Sequence, residues 1–181
     1  MVDANRTVVL SFILQEGSTS DFHQTIFPYV YCQQETVNYC WPDTPKQPAD
    51  LQTSKQDAEN ALYDRLREET NEQLHSNLVQ KAIKDATSAI SSCQTNWENG
   101  DRISNPDFYD RDHAGSTMTY DKRAATYSRY EATFSTHNGT VTCWYELPAE
   151  LKGTPYSEYI LDRRWSFSTS KLVRSREVRC W

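Results

Sequence analysis

With 181 residues, 37% of them hydrophobic and 12% aromatic, the chain can bury one core or two small ones and is no disordered tail. Its formal net charge of -6 and mean hydropathy of -0.80 describe a polar surface and argue against a protein that grips phosphates all over it. No apolar run approaches the roughly 18 residues that span a bilayer, and Met1-Val2-Asp3-Ala4 lacks the features of a secretion signal, so a cytoplasmic protein without membrane contacts is expected.

Residues 7–14 (TVVLSFIL) are rich in β-branched and aromatic types and run out at Gly17, which predicts a buried strand. One strand cannot stand alone, and the next strand signals come only after residue 117, so its partners must lie far along the chain. Ser18, Thr19, Ser20 and Asp21 offer caps for a first helix, along which Phe22, Ile26, Val30, Val37 and Trp41 recur at helical spacing. Pro28 falls inside that helix and is expected to kink or split it, while Pro42, Pro45 and Pro48 mark the loop that follows.

Thr53 or Ser54 opens a second helix with Ala58, Leu62 and Leu66 facing inward, ending near Thr70-Asn71. Val79, Ala82, Ile83, Ala86, Ile90, Cys93 and Trp97 form the clearest apolar stripe, that of a third helix stopped at Asn99-Gly100. After residue 116 the pattern becomes alternating: Tyr130, Ala132 and Phe134 on one strand, Val141, Cys143, Tyr145 and Leu147 on the next. Between them Asn138-Gly139 suits a type I′ turn, whose two central residues need positive φ. Pro148 closes the hairpin, residues 155–161 suit a short helix, and residues 165–167 and 171–181 suggest two more strands. Strand, helices, then strands gives an α+β class, a β-barrel or sheet made of residues 1–17 and 101–181 and interrupted by a helical insertion over 18–100.

Cys32, Cys40, Cys93, Cys143 and Cys180 are widely spaced with no C-x-x-C pair, and read as buried reduced thiols. The cluster Asp107, Asp110, Asp112 and His113 holds metal-ligand types, but as a charged link between helix and hairpin it reads as a solvated loop. His23, His75 and His137 fall on separate elements with no nucleophile motif, which points to surface or capping roles. No catalytic group, metal or cofactor is expected.

Charge is unevenly distributed. Residues 1–100 carry 14 acids and 7 bases, residues 101–181 carry 11 acids and 12 bases, so a phosphate-facing surface belongs in the second half. There Tyr120, Lys122, Arg123, Tyr127, Arg129 and Tyr130 interleave aromatic faces with cations, a pattern shared by nucleic-acid interfaces and by ordinary sheets.

The run NLVQKAIKDA at 77–86, followed by Trp97, Gly100, Arg102, Pro106 and Phe108, resembles the helix-then-P-x-F signature of TnpB proteins, the OrfB-type proteins of insertion sequences related to type V CRISPR effectors. Tyr120-Asp121-Lys122-Arg123, Leu147-Pro148 and Gly153-Thr154-Pro155-Tyr156 are similar to the versions found in salt-loving archaea. The resemblance implies a wedge-like barrel whose inserted helices form a recognition lobe gripping a guide-RNA and target-DNA duplex, with Asn77 and Gln80 near the DNA motif adjoining the target. It also implies an Asp–Glu–Asp metal site and a zinc ribbon further along, and this sequence has no matching motif, so truncation before the nuclease domain is expected. The usually basic stretch after the P-x-F element is Tyr109-Asp110-Arg111-Asp112-His113 here, a departure that weakens phosphate contact at that point.

The expectation is therefore a non-catalytic binder of RNA, with DNA as a second ligand. Asn77, Gln80, Lys122, Arg123, Arg129, Arg163, Arg164 and Arg174 are the candidate contacts. The alternatives are a protein-interaction module that pairs with a full-length relative or with itself through an open strand at 171–181, a non-functional relic of such a gene and, last, a small hydrolase built on Asp110, Asp112 and His113.

Overall fold

A computed structural model describes residues 11–109, 117–146 and 169–173. Its elements run β1 (Ser11–Ile13), α1 (Ser18–Cys40), α2 (Lys55–Glu69), α3 (Ser76–Glu98), β2 (Thr117–Asp121), β3 (Ala125–Tyr127), β4 (Glu131–Thr136), β5 (Gly139–Glu146) and β6 (Thr169–Val173). The class is α+β. β1, β5, β4 and β3 form an open antiparallel sheet in that order, and β2 pairs with β6 in a two-stranded one. The predicted helix at 155–161 and strand at 165–167 lie outside the described residues, as do 7–10 of the first strand and 174–181 of the last.

β1 joins β5 with Ser11 opposite Glu146, so the chain leaves the sheet, builds three helices and returns to it. Strand alternation decides which face is covered. Phe12, Ala132, Phe134, Val141, Cys143 and Tyr145 turn toward the helices, while Ile13, Thr133, Thr142 and Trp144 occupy the opposite side. Phe134 is the centre of the inner face, with the rings of Tyr120 at 5.0 Å, Phe12 at 5.6 Å, Phe22 at 5.9 Å and Tyr127 at 6.1 Å, mostly edge to face. One apolar core extends from this cluster to the helix stripe of Leu78, Val79, Ala82, Ile83, Ala86 and Ile90.

α2 is capped by Ser54, whose hydroxyl accepts from the Asp57 N–H at 3.2 Å, and it buries Ala58, Leu62 and Leu66 as the spacing predicts. α3 ends at Asn99 with Gly100 at φ +89°, a conformation that glycine adopts without a Cβ clash. Cys32, Cys40 and Cys143 are buried free thiols, whereas Cys93 is half-buried.

Three expectations need correction. α1 is not split at Pro28: the ring removes one backbone bond, but Thr25, Ile26, Tyr29 and Val30 are all buried around it, and packing outweighs the local cost of continuing the helix. α1 begins after Gly17 at φ +89°, with no side-chain cap from the serine and threonine run. The hairpin turn sits one residue earlier than Asn138-Gly139, because Thr136 pairs with Gly139 and the two loop residues are His137 and Asn138. Only Gly139 takes positive φ there, at +113°, so the glycine relieves strain at the first residue of β5 instead of inside a type I′ turn.

Candidate nucleic-acid interface

The start of α3 and the turn between β2 and β3 meet at one surface. His75 is the N-cap of α3 and its ring Nδ1 accepts from the Asn77 N–H at 3.3 Å, the capping role foreseen for a histidine. This sets the first turn so that Asn77 is buried while Gln80 and Lys81 reach the half-buried rim. On the other side Asp121 ends β2, and its Oδ1 accepts from the Arg123 N–H at 2.9 Å, which folds Lys122 and Arg123 outward in a tight turn.

Asp121 Oδ2 then takes Lys81 Nζ at 3.2 Å and Arg123 Nη2 at 3.1 Å, and Arg123 Nη1 donates to Gln80 Oε1 at 3.3 Å. Partial burial alone would raise the Asp121 carboxyl. The Arg123 N–H, its guanidinium and Lys81 outweigh that and hold it at about 2 instead of 3.8. A carboxyl depressed by folding contributes stability that is complete above its unfolded value and fades as pH falls through the folded one. Thermal unfolding followed from pH 5 to pH 2 is therefore expected to show a loss between about 4 and about 2. Asp121→Asn should flatten that part of the curve, and an unchanged acid limb would remove the assignment.

Arg129 and Tyr130 lie together in the turn after β3, with the guanidinium carbon 5.3 Å from the ring centroid and Tyr130 54% exposed. Tyr130 thus stands outside the inward row in which the alternation had placed it. Tyr120 lies in the core with its hydroxyl donating to the Ser135 carbonyl at 3.0 Å, and burial pushes its phenol well up. It offers no stacking face. Tyr127 is half-buried against Phe134.

Of the candidate contacts, then, Gln80, Lys122, Arg123 and Arg129 occupy accessible positions, and Gln80 and Arg123 touch. Arg163, Arg164 and Arg174 lie outside the described residues, together with Asp110, Asp112 and His113. Asp107 serves its own loop by accepting from the Tyr109 N–H at 2.8 Å. Among the described residues no three of His, Cys, Asp and Glu gather as metal ligands would, and no helix is long and apolar enough to cross a membrane.

Two residues absent from the sequence-based set prove central. Lys81 and Asp121 bind the two halves of the surface together; each falls in a stretch that carries the resemblance, 77–86 and 120–123, but nothing in either stretch gives it a role, and they are 40 positions apart in the chain. An open groove of about 320 Å³ meets the cluster at Gln80 and is otherwise lined by Gln56, Glu59, Asn60, Tyr63 and Asp64 of α2.

No protein-family model matches the chain, and a comparison with curated proteins finds no match.

Proposed function

We propose that the chain is a non-catalytic nucleic-acid-binding part of a TnpB-type insertion-sequence protein, and that RNA is its first ligand. The observation that carries the reading is the contact of Arg123 with Gln80, two candidate contacts 43 positions apart that share one accessible surface. Lys122 beside them and the exposed Arg129–Tyr130 pair supply further cations and a ring on which a base can stack. The order of strand, three helices and strands, with the first strand taken back into the sheet, supports the resemblance. In this reading the two sheets belong to one wedge-like barrel and the helices to its recognition lobe. The protein itself works in the cytoplasm and assigns no residue to bond cleavage.

Binding of a fluorescein-labelled 20-nucleotide RNA, followed by anisotropy, tests this directly. The affinity is expected to fall as salt rises, and the Arg123→Glu/Arg129→Glu variant to bind at least about tenfold more weakly with its fold intact by circular dichroism. Failure of the native protein to bind the RNA at any salt concentration would overturn the reading.

A second reading, pairing with a relative or with another copy, is favoured by one feature. β6 pairs with β2 on one side, and its other edge has no partner strand among the described residues. Light scattering that returned only monomer across a wide concentration range would dispose of the self-pairing form.

A further inference from the structure

Resting on the nucleic-acid reading, we propose that Arg123, fixed by Asp121 and joined to Gln80, reads the N7/O6 edge of a guanine, with Asp121 as the positioning residue. Arg123 Nε and Nη2 face Asp121 Oδ2 at 3.4 and 3.1 Å, and Nη1 gives one N–H to Gln80 at 3.3 Å. Of the five N–H groups that the side chain carries, one remains on each of Nη1 and Nη2. Guanine presents two neighbouring acceptors, N7 and O6, to such a pair even when its Watson–Crick edge is occupied; cytosine's O2 and N3 are the rival pair in a single strand, and a cytosine-bearing strand discriminates the two.

The clamp is rigid where it must be. Asp121 is itself held by the Arg123 N–H and by Lys81 from α3, and the Asp121 and Lys81 side chains are only 17% and 13% exposed. Arg123, at 59%, is the member of the network that solvent and a ligand can reach. A long side chain normally loses rotamer freedom on binding, and a fixed one has already lost it.

Local charge favours a base edge over a phosphate. Lys81 and Asp121 cancel, Lys55 cancels Glu59 at 2.9 Å, and Asp64 lines the adjoining groove, so that of the two outward cations Lys122 and Arg123 only one is left in excess. One excess positive charge on an exposed surface attracts a phosphate only weakly through salt, whereas the remaining fork donors are fixed in direction. The groove's amides, carboxylates and phenol, in contrast, offer hydrogen bonds to a neutral polar ring.

Four labelled RNAs decide the matter: (GUUU)5, (AUUU)5, (CUUU)5, and (GUUU)5 made with 7-deazaguanosine, which lacks the N7 acceptor. The guanine strand is expected to bind about tenfold or more tightly than the adenine and cytosine strands, and the 7-deaza strand to lose most of that margin. Arg123→Lys, which keeps the charge and loses the fork, should bring the strands to within about twofold of one another at an unchanged salt slope. Asp121→Asn should shrink the guanine margin in the same way while affinity for (AUUU)5 holds or rises, since a negative charge has gone. A purely structural role for Asp121 would weaken all four strands alike and would overturn its positioning role. Equal binding of the four by the native protein overturns the guanine proposal and leaves RNA binding standing, whereas no binding of any strand overturns both.

Discussion

Phe134→Ala is expected to cost about 3–5 kcal/mol, the largest loss available from one side chain in the sheet. The ring is fully buried and meets four others, which come from β1, α1, β2 and β3, so one truncation loosens every element around the sheet's inner face. A domain of this kind commonly has about 5–15 kcal/mol in total, so the variant should unfold at much lower denaturant concentration or fail to accumulate. Phe134→Leu, which keeps most of the volume, should lose distinctly less, and Tyr120→Phe about 1 kcal/mol through its bond to Ser135. Urea denaturation measures all three. A loss below about 1 kcal/mol for the alanine variant would mean that the cluster is not the centre of the core.

The second large effect is expected at Asp85. Its Oδ2 accepts from the Tyr29 hydroxyl at 2.8 Å and from the Thr119 hydroxyl at 2.7 Å, while the Thr119 N–H donates to the Tyr29 oxygen at 3.2 Å. Three elements, α1, α3 and β2, are thereby joined through one carboxylate. Burial first, and the neighbouring Asp85 charge second, push the Tyr29 phenol well above its ordinary value, so it stays a donor at any ordinary pH. Asp85→Ala orphans two hydroxyl donors in a poorly hydrated place and is expected to cost about 2–6 kcal/mol, at about 1–3 kcal/mol for each. Tyr29→Phe should cost less, since the Asp85–Thr119 bond survives, although the Thr119 N–H loses its acceptor. The double variant should lose less than the sum of the two, with a coupling of about 0.5–3 kcal/mol, and strict additivity would show that the three groups do not act as a unit.

Why some of this was legible in the sequence and some was not follows from the range of the forces involved. α2, α3 and the β4–β5 hairpin are written in local periodicity, because Leu62, Ile83 and Phe134 repeat with the spacing of a buried face. Pro28 misleads because its cost is local whereas the burial that overrides it comes from elsewhere in the fold. Tyr120 and Tyr130 look alike in a stretch of mixed aromatic and basic residues, yet one is wholly buried and the other half exposed. What separates them is that one belongs to β2 and the other to a turn. Gln80 and Arg123 could each be named, the first through the resemblance and the second through its charged, aromatic surroundings. Their contact could not, since it depends on Lys81 and Asp121 meeting across the fold.

The return of β1 to β5 also has a consequence for synthesis. Ser11 faces Glu146, so 135 residues separate partners that share a ladder. At ordinary elongation rates the ribosome needs on the order of ten seconds to deliver the second after the first. The three helices pack on one another within residues 18–98 and can form during that wait, while the first strand must be kept from pairing with anything else. Slowing translation downstream of α3 should thus prolong the exposure of Phe12, which packs against the core once β1 is paired, and a chaperone that shields short apolar segments would act at β1.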